Sequence, residues 1–143
     1  MRVLQFALLW TLLFLPLRSQ ANSVDQELLA SIRQVALNYL DADLRRDTDK
    51  MDTLLDSTFR LTWYTRAGFH VSDKTQMLEN MRKLPQMSAR IMAPEAVVLS
   101  VVGNIAIVKA VTKDRVNILS ILMVGAYRKI LSSVTQPREA EFR

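Results

Sequence analysis

Tyr39 and Asp43 stand four residues apart in a stretch of helical periodicity, which puts phenol and carboxylate one turn apart on roughly the same face. A phenol can donate a hydrogen bond and a carboxylate can move a proton, so the pair could take part in general acid–base chemistry. A second reading makes Tyr39 an amphipathic core residue with a satisfied hydroxyl. His70 is the single histidine, and alternation turns it away from the face of Phe69 and Val71, as a further proton carrier or a rim residue. With no cysteine, thiolate metal sites, disulfides and a Cys nucleophile are excluded. The acidic series Asp41 to Asp56 fails as a calcium loop. Counted from Asp47, Met51 and Asp52 fall where an oxygen ligand and a glycine are required. No nucleophile-elbow motif accompanies His70, and neither a metal nor a cofactor is expected.

Phe59, Trp63, Tyr64, Met77 and Met81, with Met87 and Met92, form an apolar group. Aromatic walls with flexible methionines suit an adaptable pocket for a small hydrophobic or aromatic molecule, and they equally suit an ordinary core.

The elements that position these residues follow from their patterns. Val24 to Arg46 reads as an amphipathic helix with Ser23 as its N-cap. Asp47 caps a short second helix to about Leu55. Phe59–Tyr64 and Phe69–Val71 are strands joined by a turn at Arg66-Ala67-Gly68. Ser72 caps a third helix to about Leu84, and Pro85 ends it. Ala89–Met92 is a short strand. Ala96–Val102, Ile105–Lys113, Val116–Val124 and Tyr127–Thr135 form an antiparallel meander. All three glycines fall at strand connections, where positive φ is useful. The long strands are apolar on both faces. Ile105, Ile107 and Val111 line one face, and Ala106, Val108 and Ala110 the other. One face meets the helices, and the other is expected to meet a second copy.

Met1-Arg2 precedes an apolar run to Leu17 that contains Pro16, followed by Arg18 and a small-x-small ending at Ser19-Gln20-Ala21. That is the grammar of a secretory signal, with cleavage after Ala21, and Pro16 is expected to leave the cleavage region extended. The apolar run is too short to span a bilayer, so no stable membrane anchor is expected after cleavage. The expected organisation is residues 1–21 as signal, 22–136 as one domain and 137–143 as a flexible tail, exported to the periplasm or the medium. Losing Arg2 and Arg18 lowers the formal charge from +5 to +3. The pairs Arg45-Arg46 and Arg82-Lys83 each end a helix and lack interleaved aromatics, so no nucleic-acid partner is expected.

The chain resembles the nuclear-transport-factor-2-like (NTF2-like) superfamily, with likeness to its SnoaL-like branch and to the branch named for lumazine binding. The carriers are Val35-Ala36-Leu37-Asn38-Tyr39-Leu40, Arg46-Asp47, Leu54-Leu55 followed by Phe59, Asn117-Ile118-Leu119-Ser120-Ile121-Leu122, and Gly125-Ala126-Tyr127-Arg128-Lys129-Ile130. The likeness spans about Val24 to Thr135. It departs at Tyr127, where relatives usually carry Trp, and at Asn117, where the lumazine-named branch often has Asp. The loop between the second helix and the first strand also looks shortened. The resemblance implies an α+β cone of the cystatin-like type: a curved antiparallel sheet packed on three helices, often dimeric through the sheet. Its open end would hold a ligand among Phe59, Trp63, Tyr64, Met77, Met81 and Asn117. In the ketosteroid-isomerase relatives a tyrosine matching Tyr39 donates to an oxyanion. The base expected from the first strand is missing from Leu61-Thr62-Trp63-Tyr64, and the late strands offer only Asn117 and Ser120 for the second acid. The resemblance therefore implies ligand binding without chemistry, or an enzyme using Tyr39 with Asp43 or His70.

Overall fold

The computed structural model describes residues 17–65, 67–85 and 94–138. The part of the expected signal before Leu17, Arg66 at the expected hairpin turn, the expected strand Ala89–Met92 with Met87, and residues 139–143 lie outside them. The chain divides into two compact units at Ser31. The described part of the first, residues 17–31, is helical. The second, Ile32–Arg143, carries the sheet.

Helix α1 runs Leu17–Arg45. Ser23 therefore lies inside the helix and does not cap it, and the backbone around Ala21 is helical where an extended segment was expected. Within the second unit its buried face is Ile32, Ala36, Tyr39, Leu40 and Ala42. The helix stops because Arg46 turns left-handed, at φ 58°. The amide of Asp47 then bonds the Ala42 carbonyl at 2.9 Å, and that of Arg46 bonds the Asp43 carbonyl at 3.3 Å. This is the paired closure that usually recruits glycine, adopted here by an arginine.

Asp47 caps α2, Thr48–Leu54, accepting from the Lys50 amide as expected. The last turn of α2 carries no cation of its own. Lys74 reaches the carbonyls of Asp52 (2.8 Å) and Leu55 (3.0 Å), and Lys129 reaches that of Thr53. These ammonium groups answer the negative end of the helix from two other elements.

Strand β1, Leu55–Thr65, pairs antiparallel with β2, Gly68–Asp73. The hairpin uses Gly68 at φ 119°. Helix α3 is Lys74–Arg82. Its cap is Asp73, with a reciprocal Gln76 bond, and not Ser72. Ser72 pairs with Leu61 and is buried, because strand alternation carries through it and turns it inward.

Strands β3 (Glu95–Val102), β4 (Ile105–Val111), β5 (Arg115–Val124) and β6 (Tyr127–Pro137) form the expected meander. The six-stranded sheet has the order β2-β1-β6-β5-β4-β3. It is curved and unclosed, and with the helices it makes the expected α+β architecture. One pair departs from the antiparallel expectation: β1 and β6 run parallel, so the first hairpin docks beside the last strand. Strand β6 runs to Pro137, and the Arg138 amide bonds the Asp114 carbonyl at 2.9 Å, so order continues past the expected start of the tail.

The inward face is apolar through Phe59, Ala106, Val108, Leu119, Ile121 and Ile130, all without solvent exposure. The outward face carries a row in register across all six strands: Val97, Lys109, Ile118, Val134, Thr62 and Val71. Val97, Val134 and Val71 in that row are exposed. Among the described residues no helix is long and apolar enough to cross a membrane.

Candidate functional site

Alternation along β5 and β6 decides what lies inward beyond the apolar core. On β5, Ile121 and Leu119 are followed inward by Asn117 and Arg115; on β6, Ile130 is followed by Ser133 and Thr135. The inward face therefore turns from apolar to polar along the strands. A cavity of about 490 Å³ lies in the second unit. Its apolar wall is Leu44, Leu61, Trp63, Met77, Met81 and Leu84. Its polar wall holds Tyr39, Asp43, Arg46 and Arg115, with Ser72, Thr135 and Asn80 between, and Asp114 exposed at the rim.

Tyr39 is 2% exposed. Burial raises the phenol well above its ordinary value, the nearby Asp43 raises it further, and a hydrogen bond with Ser133 and the charge of Arg115 only partly offset this. The phenol keeps its proton throughout the physiological range. Behind it the polar groups continue: Ser133 Oγ lies 3.5 Å from Thr135 Oγ1, which donates to Asn117 Oδ1 at 2.7 Å.

Asp43 pairs with Arg115 at 2.9 Å. Burial nevertheless raises its carboxyl above the ordinary value, outweighing the pull of Arg115 and, more weakly, of Arg46. Two buried side-chain polar atoms among the described residues lack a partner, Arg46 Nε and Asn117 Nδ2.

Tyr39 and Asp43 thus share one cavity, as their spacing implied. Trp63, Met77 and Met81 line it too. Phe59 does not: it is wholly buried in the core. Tyr64 faces the opposite side of the sheet, where it packs edge-on against Phe69 at 5.0 Å, because it alternates with Trp63. Asn117 is buried behind Thr135 and does not line the cavity. His70 does not line it either. It is exposed, stacks on Trp63 at 5.2 Å and lies 3.0 Å from Thr65 Oγ1, which makes it a rim residue. Ser120 pairs with Ile107 and Ser132 on the outward face. Among the described residues no group of His, Cys, Asp and Glu could hold a metal.

Arg46 was read from sequence only as a helix-end cation, and Arg115 was not singled out. Strand alternation back from Asn117 would have turned Arg115 inward. For Arg46 no local signal marks the left-handed turn.

The architecture is that of the NTF2-like fold, in keeping with the expectation. An NTF2-like protein of unknown function from Silicibacter pomeroyi superposes with a TM-score of 0.63 at 13% identity, covering 81% of this chain and 98% of its own. Another from Shewanella baltica gives 0.60 at 12% identity, covering 79% and 94%. A ketosteroid isomerase-like protein from Erwinia carotovora gives 0.59 at 17% identity, covering 78% and 96%. No protein-family model and no curated protein sequence matches the chain.

The raised carboxyl of Asp43 fixes the sign of a pH effect. The folded protein holds that proton more tightly than the unfolded chain. The stability this contributes is complete below the ordinary aspartate range and is lost as pH rises through the higher folded value. Asp43→Asn keeps a neutral side chain of the same shape. Urea melts of both proteins from about pH 4 to about pH 8 are expected to show the wild type losing stability relative to the variant. Parallel curves would refute the burial argument.

Proposed function

We propose that this protein is an exported NTF2-like domain that binds a small hydrophobic or aromatic molecule in the cavity between Tyr39, Trp63 and Met81, and that it works as a homodimer. The cavity carries the reading. Its volume lies in the range of small-molecule sites, and its lining combines apolar side chains with a few polar and charged groups. Met77 and Met81 supply a wall that adapts to shape. The resemblance to the SnoaL-like branch points the same way. The neutral fluorophore N-phenyl-1-naphthylamine is expected to brighten on the wild type. Met81→Trp, which fills the apolar wall, is expected to weaken that binding about tenfold or more. No fluorescence change with the wild type, or equal binding by both, would overturn the reading.

The homodimer is supported by the outward row from Val97 to Val71, whose exposed apolar side chains a second sheet would cover. Export is supported by the apolar run and the Ser19-Gln20-Ala21 ending. Protein recovered from outside the cytoplasm is expected to begin at Asn22 and to sediment as a dimer at micromolar concentration. Ile118→Asp, at the centre of the row, is expected to give a monomer. A wild-type monomer, or an uncleaved chain, would remove the corresponding part.

A second reading has one observation in its favour, the shared cavity of Tyr39 and Asp43. Tyr39 would donate to a developing oxyanion and Asp43 would carry the proton. Turnover of any isomerisation or dehydration substrate should then fall by about a hundredfold or more in Tyr39→Phe with Asp43→Asn. Full activity in that double variant would end it.

A further inference from the structure

One donor in the cavity lining has no acceptor. Arg46 Nε and Asn117 Nδ2, the two unpartnered buried side-chain atoms, are both N–H donors. Arg46 lines the cavity, and Asn117 lies behind Thr135, which lines it. A buried donor without a partner is a standing cost that an incoming acceptor removes.

The charges narrow the acceptor further. Arg115 is already answered by Asp43 at 2.9 Å. Arg46 feels Asp43 only at longer range and forms no salt bridge among the described residues. Its backbone is held left-handed, which fixes where the guanidinium leaves the chain. The group that best fits an unpaired guanidinium donor is acceptor-only and anionic. Asp43 and Asp114 also face the space, so a doubly charged phosphate meets more repulsion than a single carboxylate.

We infer that the ligand is an amphipathic monocarboxylate, its carboxylate accepting from Arg46 and its apolar body lying against Trp63, Met77, Met81 and Leu84. This rests on the ligand-binding reading above and adds the charge of the ligand to it. A neutral amide of the same shape would offer Arg46 Nε a carbonyl acceptor but not the charge that makes the bond to a guanidinium strong.

Naphthalene-1-acetate and naphthalene-1-acetamide differ in that charge and little else. Calorimetric titration of the full chain is expected to show the acid binding about tenfold or more tighter than the amide. Arg46→Asn suits the left-handed backbone and removes the guanidinium. It is expected to abolish the preference, the acid losing about tenfold or more in affinity and the amide less. Should that variant not fold by thermal melting, Arg46→Gly provides the same readout. Equal affinity of acid and amide for the wild type, or a preference that survives at position 46, would overturn this inference while leaving the ligand-binding reading intact. Failure of both naphthalenes while N-phenyl-1-naphthylamine still binds would also overturn it. Failure of all three probes would take both readings down together.

Discussion

The contact between Asp43 and Arg115 ties the last turn of α1 to the first residue of β5, and the polar half of the cavity depends on it. It is an unusual tie. A carboxylate in the last turn of a helix faces the negative end of the dipole. Burial lifts its proton affinity despite two guanidinium groups nearby. Desolvation therefore exceeds what pairing returns, and the ionised pair is a poor source of stability. What it does supply is position. It holds an arginine and an aspartate side by side in the lining that Tyr39 shares.

The same tolerance of cost recurs around it. Arg46 adopts a backbone conformation that glycine or asparagine takes more easily, and its Nε is unpaired. Tyr39 buries a phenol whose ionisation that burial disfavours. Elsewhere the chain follows local rules closely: Asp47 and Asp73 cap their helices, and cations from Lys74 and Lys129 complete α2. The three positive-φ glycines stand at hairpin turns. Departures from local consistency gather on one side of one cavity, which is the distribution expected when a site is kept at the expense of stability.

Periodicity made the elements legible because each strand and helix needs one buried face. The meander, the short second helix and the first hairpin follow from that alone. The parallel docking of β1 on β6 does not, since nothing in either strand encodes which neighbour it takes. The site was legible only where a single element sufficed. Tyr39 and Asp43 share a helix face, so their spacing placed them together. Tyr64 was assigned to the pocket with Trp63 although adjacent strand residues face opposite ways, an error that period-two geometry should have prevented. Ser72 was read as the cap of the third helix, but the cap is the next residue, Asp73, and the register with Leu61 turns Ser72 inward. Arg46 and Arg115 come together through two backbone events remote in sequence, a left-handed turn and a strand start.

The outward face raises the question of how such a sheet associates. Lateral pairing at the edges is obstructed. Strand β3 carries a register shift between Val98 and Ser100, and β2 at the opposite edge is only six residues long. Bulged and short edges are the features that discourage strand addition. The apolar character lies instead in the plane, with Val97, Ile118, Val134 and Val71 in one row and Tyr64 packed on Phe69 near one end. A face of this composition is best covered by another flat, twisted face of the same kind, since two sheets stack through interdigitated side chains without using backbone donors. Lys109 in that row keeps its charge next to water if the covering sheet crosses at an angle, leaving the β3–β4 side at the periphery. Packing face to face would also leave the inward cavity of each copy free, so the proposed association and the proposed ligand binding would draw on opposite sides of one sheet.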